Sequence, residues 1–147
     1  MILCKMHCWT VFKLIHYNKN YLHSLKKKYG TSLGEKLELI HADLNETTLP
    51  TSDLLICNLV IEYIGIDSFA KLLARSTFGI ASCVIQKNCG NSFMTPTKVA
   101  EKLKRIDEIH HDIGENEFKK AIGLNVVFTH NYLLPNNKEF VRIDFKR

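Results

Sequence analysis

Residues 41–65 read HADLNETTLPTSDLLICNLVIEYIG. At the centre of this stretch, Asp53 to Asn58 (DLLICN) is a short, unbroken apolar run between polar ends. A strand buried on both faces looks like this, as in a parallel sheet covered by helices. Pro50, Thr51 and Ser52 punctuate the loop before it. Upstream of that loop, Leu37, Leu39 and Ala42 lead into Asp43, a second strand that ends in a polar turn.

The same alternation continues on both sides. Toward the C-terminus, Asp67 is expected to cap a helix whose apolar positions are Phe69, Leu72 and Leu73. Gly79 to Gln86 (GIASCVIQ) is another buried strand, and the polar stretch Lys87 to Thr97 is irregular. Val99 to Ile109 reads as a helix or helical turns, and Glu115 to Ile122 as a short helix closed by Gly123. Two strands, Val126 to Leu134 and Glu139 to Phe145, are joined by Pro135-Asn136-Asn137 in a hairpin-type connection. Toward the N-terminus, Trp9 to Tyr17 (WTVFKLIHY) is β-branched and aromatic, which predicts a strand. Asn18 offers an N-cap to a helix over Lys19 to Tyr29, with Gly30 as its stop and a turn over residues 31–36. Strands alternating with helices, then an antiparallel pair, make an α/β chain with a mostly parallel sheet.

Composition narrows the function classes. The chain has 147 residues, 46% of them hydrophobic and 24% charged. That length suits one domain spanning residues 1–147, and the balance is that of a globular protein. No apolar run approaches the roughly 20 residues of a membrane helix. Met1 to Phe12 is interrupted by Lys5 and His7 and lacks a cleavage pattern, which points to the cytoplasm. Cys57 and Cys83 lie in apolar runs, as reduced cysteines do. Cys4, His7 and Cys8 lack a second pair at zinc-site spacing, so no metal is assigned. The net charge is +5, and its densest run, Lys26 to Lys28, is expected at a helix C-terminus. Nucleic acid would call for more basic residues interleaved with aromatics.

In doubly wound sheets ligands sit outside the carboxyl ends of the strands. The candidates are therefore the residues just past each strand: His16 to Asn18, Asp43 and Leu44, Asn58 and Leu59, and Gln86 to Asn88. Asp43 could equally cap its own turn, and so could Asn58. Glu62 and Tyr63 could face a substrate, although a carboxylate at a helix N-terminus is the commoner role for the first. His110-His111-Asp112 reads as a solvated loop, His41 as a core or edge residue, and Cys89 as a thiol without an activating base.

The segment 41–65 resembles the central motifs of the class I S-adenosylmethionine-dependent methyltransferases. In that family an acidic residue after the third strand lies by the adenine, and a Leu-Pro leads to a fourth strand. That strand begins Asp-Leu and ends in a polar residue near the methionine moiety. Asp43 and Leu44, Leu49-Pro50, and Asp53 to Asn58 with Leu59 match in turn. The closing NYLLPNNKEFVRIDFKR resembles the family's final strand pair. The resemblance implies a Rossmann-like fold, S-adenosylmethionine as cofactor, and a small-molecule methyl acceptor. It names no catalytic residue.

Two features depart from the family pattern. The first glycine is Gly30, and no Gly-x-Gly occurs, so the family's glycine-rich loop has no counterpart. The stretch before Trp9 is expected to be only the tail of the family's first helix, with the first strand and most of that helix missing. Alignment through Asn18-Lys19-Asn20-Tyr21-Leu22 puts His16 where the family has an acid for the ribose. A neutral imidazole accepts one hydrogen bond where a carboxylate holds two hydroxyls. The reading is thus a small-molecule methyltransferase or an inactive truncated copy. The alternative is a non-catalytic methyltransferase-like module or remnant, self-associating through exposed sheet edges. A nucleotide-dependent oxidoreductase shares the layout but suits the closing strand pair less well.

Overall fold

The computed structural model describes residues 11–88, 109–134 and 138–147, together with the backbone of Ile2–Lys5. Its strands are β1 (Ile2–Lys5), β2 (Phe12–His16), β3 (Leu37–His41), β4 (Ser52–Asn58), β5 (Phe78–Asn88), β6 (Asn125–Leu133) and β7 (Lys138–Lys146). Its helices are α1 (Lys19–Leu33), α2 (Ile61–Ile64), α3 (Ile66–Ala74) and α4 (Glu115–Ile122). The strands form one seven-stranded sheet in the order β3-β2-β1-β4-β5-β7-β6. β2 pairs parallel with β3, and β4 with β5, while β1 and β7 are antiparallel to both their neighbours. Strands β2 to β6 therefore all point one way, and only β1 and β7 run against them.

The residues before Trp9 correct the sequence reading. Ile2–Lys5 is a strand, not a helix tail, and it occupies the centre of the sheet between β2 and β4. The gap expected from a missing first strand is thus closed by the chain itself. It is closed in the opposite direction, because an antiparallel strand needs no crossover helix before β2.

The core lies between the sheet and α3 and α4. Alternate residues of β7, namely Val141, Ile143 and Phe145, are fully buried with Leu55, Cys57, Ala81, Cys83 and Ile85. Phe69, Leu72 and Leu73 of α3 and Phe118 of α4 complete this cluster. The Phe118 ring meets Phe145 edge-on at 5.4 Å and Phe69 at 5.9 Å. Each such side chain contributes about 1.5–3 kcal/mol on burial. Gly79 lets β5 approach β4 closely, since a Cβ there would stand 2.8 Å from the Asp53 carbonyl oxygen.

Three local expectations also change. α1 runs through Gly30 to Leu33 and ends at Gly34, whose φ is +52° and whose N–H donates to the Gly30 carbonyl. Lys26 to Lys28 therefore lie inside the helix, with no basic residue in its last turn. Asp67 lies in the first turn of α3, and Gly65 stands at the cap position. By contrast, Asn18 caps α1 as expected, its Oδ1 accepting from the Asn20 and Tyr21 N–H groups. The Val99–Ile109 helix, the 135–137 connection, Cys89 and the side chains of Cys4, His7 and Cys8 fall outside the described residues, apart from Ile109 itself. Among the described residues no helix is long and apolar enough to cross a membrane.

Candidate functional site

The antiparallel centre strand sets the level at which its neighbours end. Ile2 pairs with Ile15 of β2 and with Cys57 of β4, and β2 in turn keeps His16 level with His41 of β3. Three carboxyl ends therefore finish side by side. Beyond them lies a cavity of about 480 Å³. It is lined by Ile15, His16 and Tyr17 after β2, and by Asp43, Leu44 and Asn45 after β3. Leu59, Val60, Tyr63 and Ile64 after β4, with Ile109, form the remaining wall. Its size is in the range of small-molecule sites, and apolar walls with a few polar groups are their usual make-up.

Of the strand-end candidates, His16, Tyr17, Asp43, Leu44 and Leu59 line this cavity; Asn18, Asn58 and Gln86 to Asn88 do not, and Asn58 is exposed at the end of β4. His16 Nδ1 accepts from the Asn18 N–H at 2.9 Å. In the neutral ring the proton is then on Nε2, so toward a ligand His16 is a donor rather than the acceptor expected. Burial holds its imidazole below the ordinary pKa, which favours this neutral form. Its ring stacks on Tyr17 at 5.2 Å and lies 4.6 Å from Tyr21.

Asp43 lines the cavity and also builds its own turn, one of the two roles weighed for it. Its Oδ1 accepts from the Asn45 N–H at 2.8 Å, and its carbonyl accepts from Thr47 at 3.0 Å, which builds the turn. The loop is then pinned from α3. Arg75 donates through Nε to the Thr47 carbonyl at 2.7 Å and through Nη2 to Leu44 and Asn45 at 2.8 Å each. Sequence reading missed Arg75, because nothing in its neighbourhood on the chain points to a loop some thirty residues upstream.

Leu59 takes the corner from β4 into α2 with φ +52°, among the described residues the only non-glycine at positive φ. Its N–H still donates to the Val84 carbonyl at 2.9 Å, so β5 holds the strained corner in place. Glu62 follows in α2 and is 1% exposed. Its Oε1 accepts from the Gln86 N–H at 2.7 Å, while among the described residues Oε2 finds no hydrogen-bond partner. Burial pushes its pKa up. It stands in the first turn of α2, as the helix-N-terminal reading expects, and from there anchors that turn to β5.

Tyr63 lines the cavity, and its phenol pKa is raised by burial and then by the Glu62 charge. The His110-His111-Asp112 loop is docked here. His111 N–H donates to the Glu62 carbonyl at 2.7 Å, and Asp112 accepts from Asn88 at 2.8 Å. The side chains of His111 and Asp112 are exposed, as the solvated-loop reading expects, whereas His110 is half-buried with its ring edge-on to Tyr63 at 6.0 Å. His41, also exposed, ends edge strand β3 with Nε2 2.7 Å from the Tyr17 carbonyl oxygen. No group of three His, Cys, Asp or Glu among the described residues could hold a metal ion.

No family model matches the chain, and no curated protein matches it in sequence. Solved structures do match its fold. The geranyl diphosphate C-methyltransferase from Streptomyces coelicolor A3(2), in complex with S-adenosyl-L-homocysteine, superposes with a TM-score of 0.67 at 9% identity. The match covers 92% of this chain and 64% of that one. The magnesium protoporphyrin IX methyltransferase from Synechocystis PCC 6803, with bound SAH, gives 0.65 at 12% identity over 94% and 65%. The pyocyanin biosynthetic protein PhzM gives 0.60 at 13% over 92% and 43%. This chain has the Rossmann-like fold of these methyltransferases. It spans about two-thirds or less of their lengths.

Proposed function

We propose that residues 1–147 form a single methyltransferase-like domain that binds S-adenosylmethionine and presents it to a small-molecule methyl acceptor in the cytoplasm. The observation that carries this reading is the cavity, where His16, Asp43, Leu44 and Leu59 converge from three strand ends. The residues present fit the adenosine half of the cofactor. Tyr17, 73% exposed at the rim, offers an aromatic face to a purine, and Leu44 an apolar one. Asp43 keeps a carboxylate oxygen beyond the one used in its turn, and His16 contributes Nε2–H to a ribose hydroxyl. Leu59 and Tyr63 would hold the methionine half, without the backbone approach that a glycine loop would give.

S-adenosylmethionine would supply a methyl group on a sulfonium, whose transfer depends on in-line alignment more than on acid–base help. The chain's own part is to hold and orient: Arg75 fixes the 44–47 loop, and β5 fixes the Leu59 corner. No catalytic residue is assigned. Calorimetry with S-adenosylmethionine and S-adenosylhomocysteine tests the reading. Binding is expected to weaken about tenfold in Asp43→Ala, the loss of one charge-assisted hydrogen bond. Absence of heat at millimolar ligand would sink it. The second reading, a non-catalytic module that self-associates through its sheet edges, is favoured by the reversed β1, because it replaces the strand from which the family's cofactor loop springs.

A further inference from the structure

The two edges of the sheet are unlike. β3 has five residues, and its Glu38 is paired to Lys13 at 3.0 Å, so a charge sits on that edge. β6 at the other edge has nine residues, NVVFTHNYL, with no Lys, Arg, Asp, Glu or Pro. All nine are exposed, including Phe128 at 43%, Tyr132 at 46% and Leu133 at 78%. Among the described residues no strand pairs with its outer side. Folded proteins usually blunt such an edge with charge, proline or brevity, and here only a bulge at Val127 does so.

We infer that β6 is the interface of a two-fold dimer, in which it pairs antiparallel with β6 of a second copy and makes one continuous sheet. The geometry fixes the register. A two-fold axis normal to the sheet keeps each face on its own side, so opposed residues must share a face and the axis must pass through a residue. The bulge leaves Phe128–Leu133 as the regular run. An axis at His130 sets Phe128 opposite Tyr132 of the partner subunit, and His130 opposite its own copy.

That face is already an aromatic row: Phe128 stacks on His130 at 6.2 Å, and His130 meets Tyr132 edge-on at 4.5 Å. Pairing would extend the row across the axis with aromatic cross-strand pairs on both sides. Charge favours a second copy as the occupant. β6 is uncharged, and the ions behind its regular run are paired, Arg142 with Asp144 at 2.6 Å and Glu139 with Lys87 of β5 at 2.9 Å. Lys146 lies opposite Asn125, beyond the bulge and away from the Phe128–Leu133 seam. Neither copy therefore brings an unmatched charge to the seam.

Sedimentation equilibrium of the full chain tests this, with circular dichroism as the check on folding. The wild-type chain is expected to be a dimer. His130→Lys and His130→Glu, exposed changes at the axis, are each expected to raise its dissociation constant about tenfold or more. An equimolar mixture of the two should restore association, because opposite charges then meet at the axis. A wild-type monomer at every concentration, a dimer unchanged in both variants, or a mixture that stays monomeric would overturn the inference. S-adenosylhomocysteine calorimetry on the His130→Lys monomer reports separately on the cofactor reading, because residue 130 lies outside the cavity.

Discussion

Leu59 holds the corner between β4 and α2 at φ +52°. For an L-residue with a Cβ that conformation costs about 1–2 kcal/mol, and only glycine avoids the cost. Leu59→Ala and Leu59→Gly both remove the apolar side chain, so the difference between them isolates the backbone. Glycine normally destabilises relative to alanine. Here Leu59→Gly is expected to be the more stable of the two by about 1 kcal/mol in urea unfolding, a reversal of the usual order. Three residues on, Glu62 makes a prediction about pH. Its folded pKa is raised by burial, so the folded chain holds this proton more tightly than the unfolded chain does. The contribution to stability is fully present below the unfolded value near 4.5 and is lost as pH rises through the raised folded value. Glu62→Gln keeps an acceptor for the Gln86 N–H and removes the titration. The wild-type chain should therefore gain stability over Glu62→Gln as pH falls toward 4.5, and a constant gap across that window would refute the assignment.

Elements were legible from sequence where local chemistry decided them, and α1 shows the limit. Asn18 as its cap and a helix beginning at Lys19 were readable. The stop at Gly30 was not, because a glycine is tolerated inside a helix that continues to find partners, and Gly34 supplies the left-handed exit. α4 ended where its glycine predicted, with Gly123 at φ +64°. The difference lies in the residues C-terminal to each glycine: Thr31, Ser32 and Leu33 can carry the helix on, whereas Leu124 and Asn125 lead directly into β6. Gly30 thus sits where glycine has no conformational use, and an added Cβ would meet only Lys26 Cγ at 3.5 Å. Gly30→Ala is expected to stabilise the chain by about 0.5–1 kcal/mol, seen as a higher midpoint in thermal unfolding followed by circular dichroism. The candidate site divides in the same way. Strand-end positions such as Tyr17, Asp43 and Leu59 followed from periodicity, whereas Arg75 was invisible because its role arises from contacts across the fold.

Across the sheet, the parallel strands flanking the centre could be read from the alternation of strands and helices, but the centre itself could not. Ile2–Lys5 is too short for its pattern to separate strand from helix, and only pairing with residues 12–15 and 54–57 makes it a strand. Its position has a sharp energetic consequence. A strand flanked on both sides spends every backbone N–H on one neighbour or the other, so proline anywhere in it removes a ladder bond at the middle of the sheet. In the first turn of a helix, by contrast, proline is tolerated because those N–H groups have no partner to lose. Leu3→Pro therefore separates the two arrangements. With β1 between β2 and β4, the substitution should destabilise the chain by about 3 kcal/mol and broaden or abolish cooperative unfolding in urea. If residues 2–5 were instead the end of a helix lying on the sheet, the midpoint would scarcely move. Loss of the cavity should accompany the loss of stability, because β1 is what keeps His16 and the end of β4 level with each other. A Leu3→Pro chain that unfolds as the wild type does, with its ligand affinity intact, would take the antiparallel strand out of the sheet.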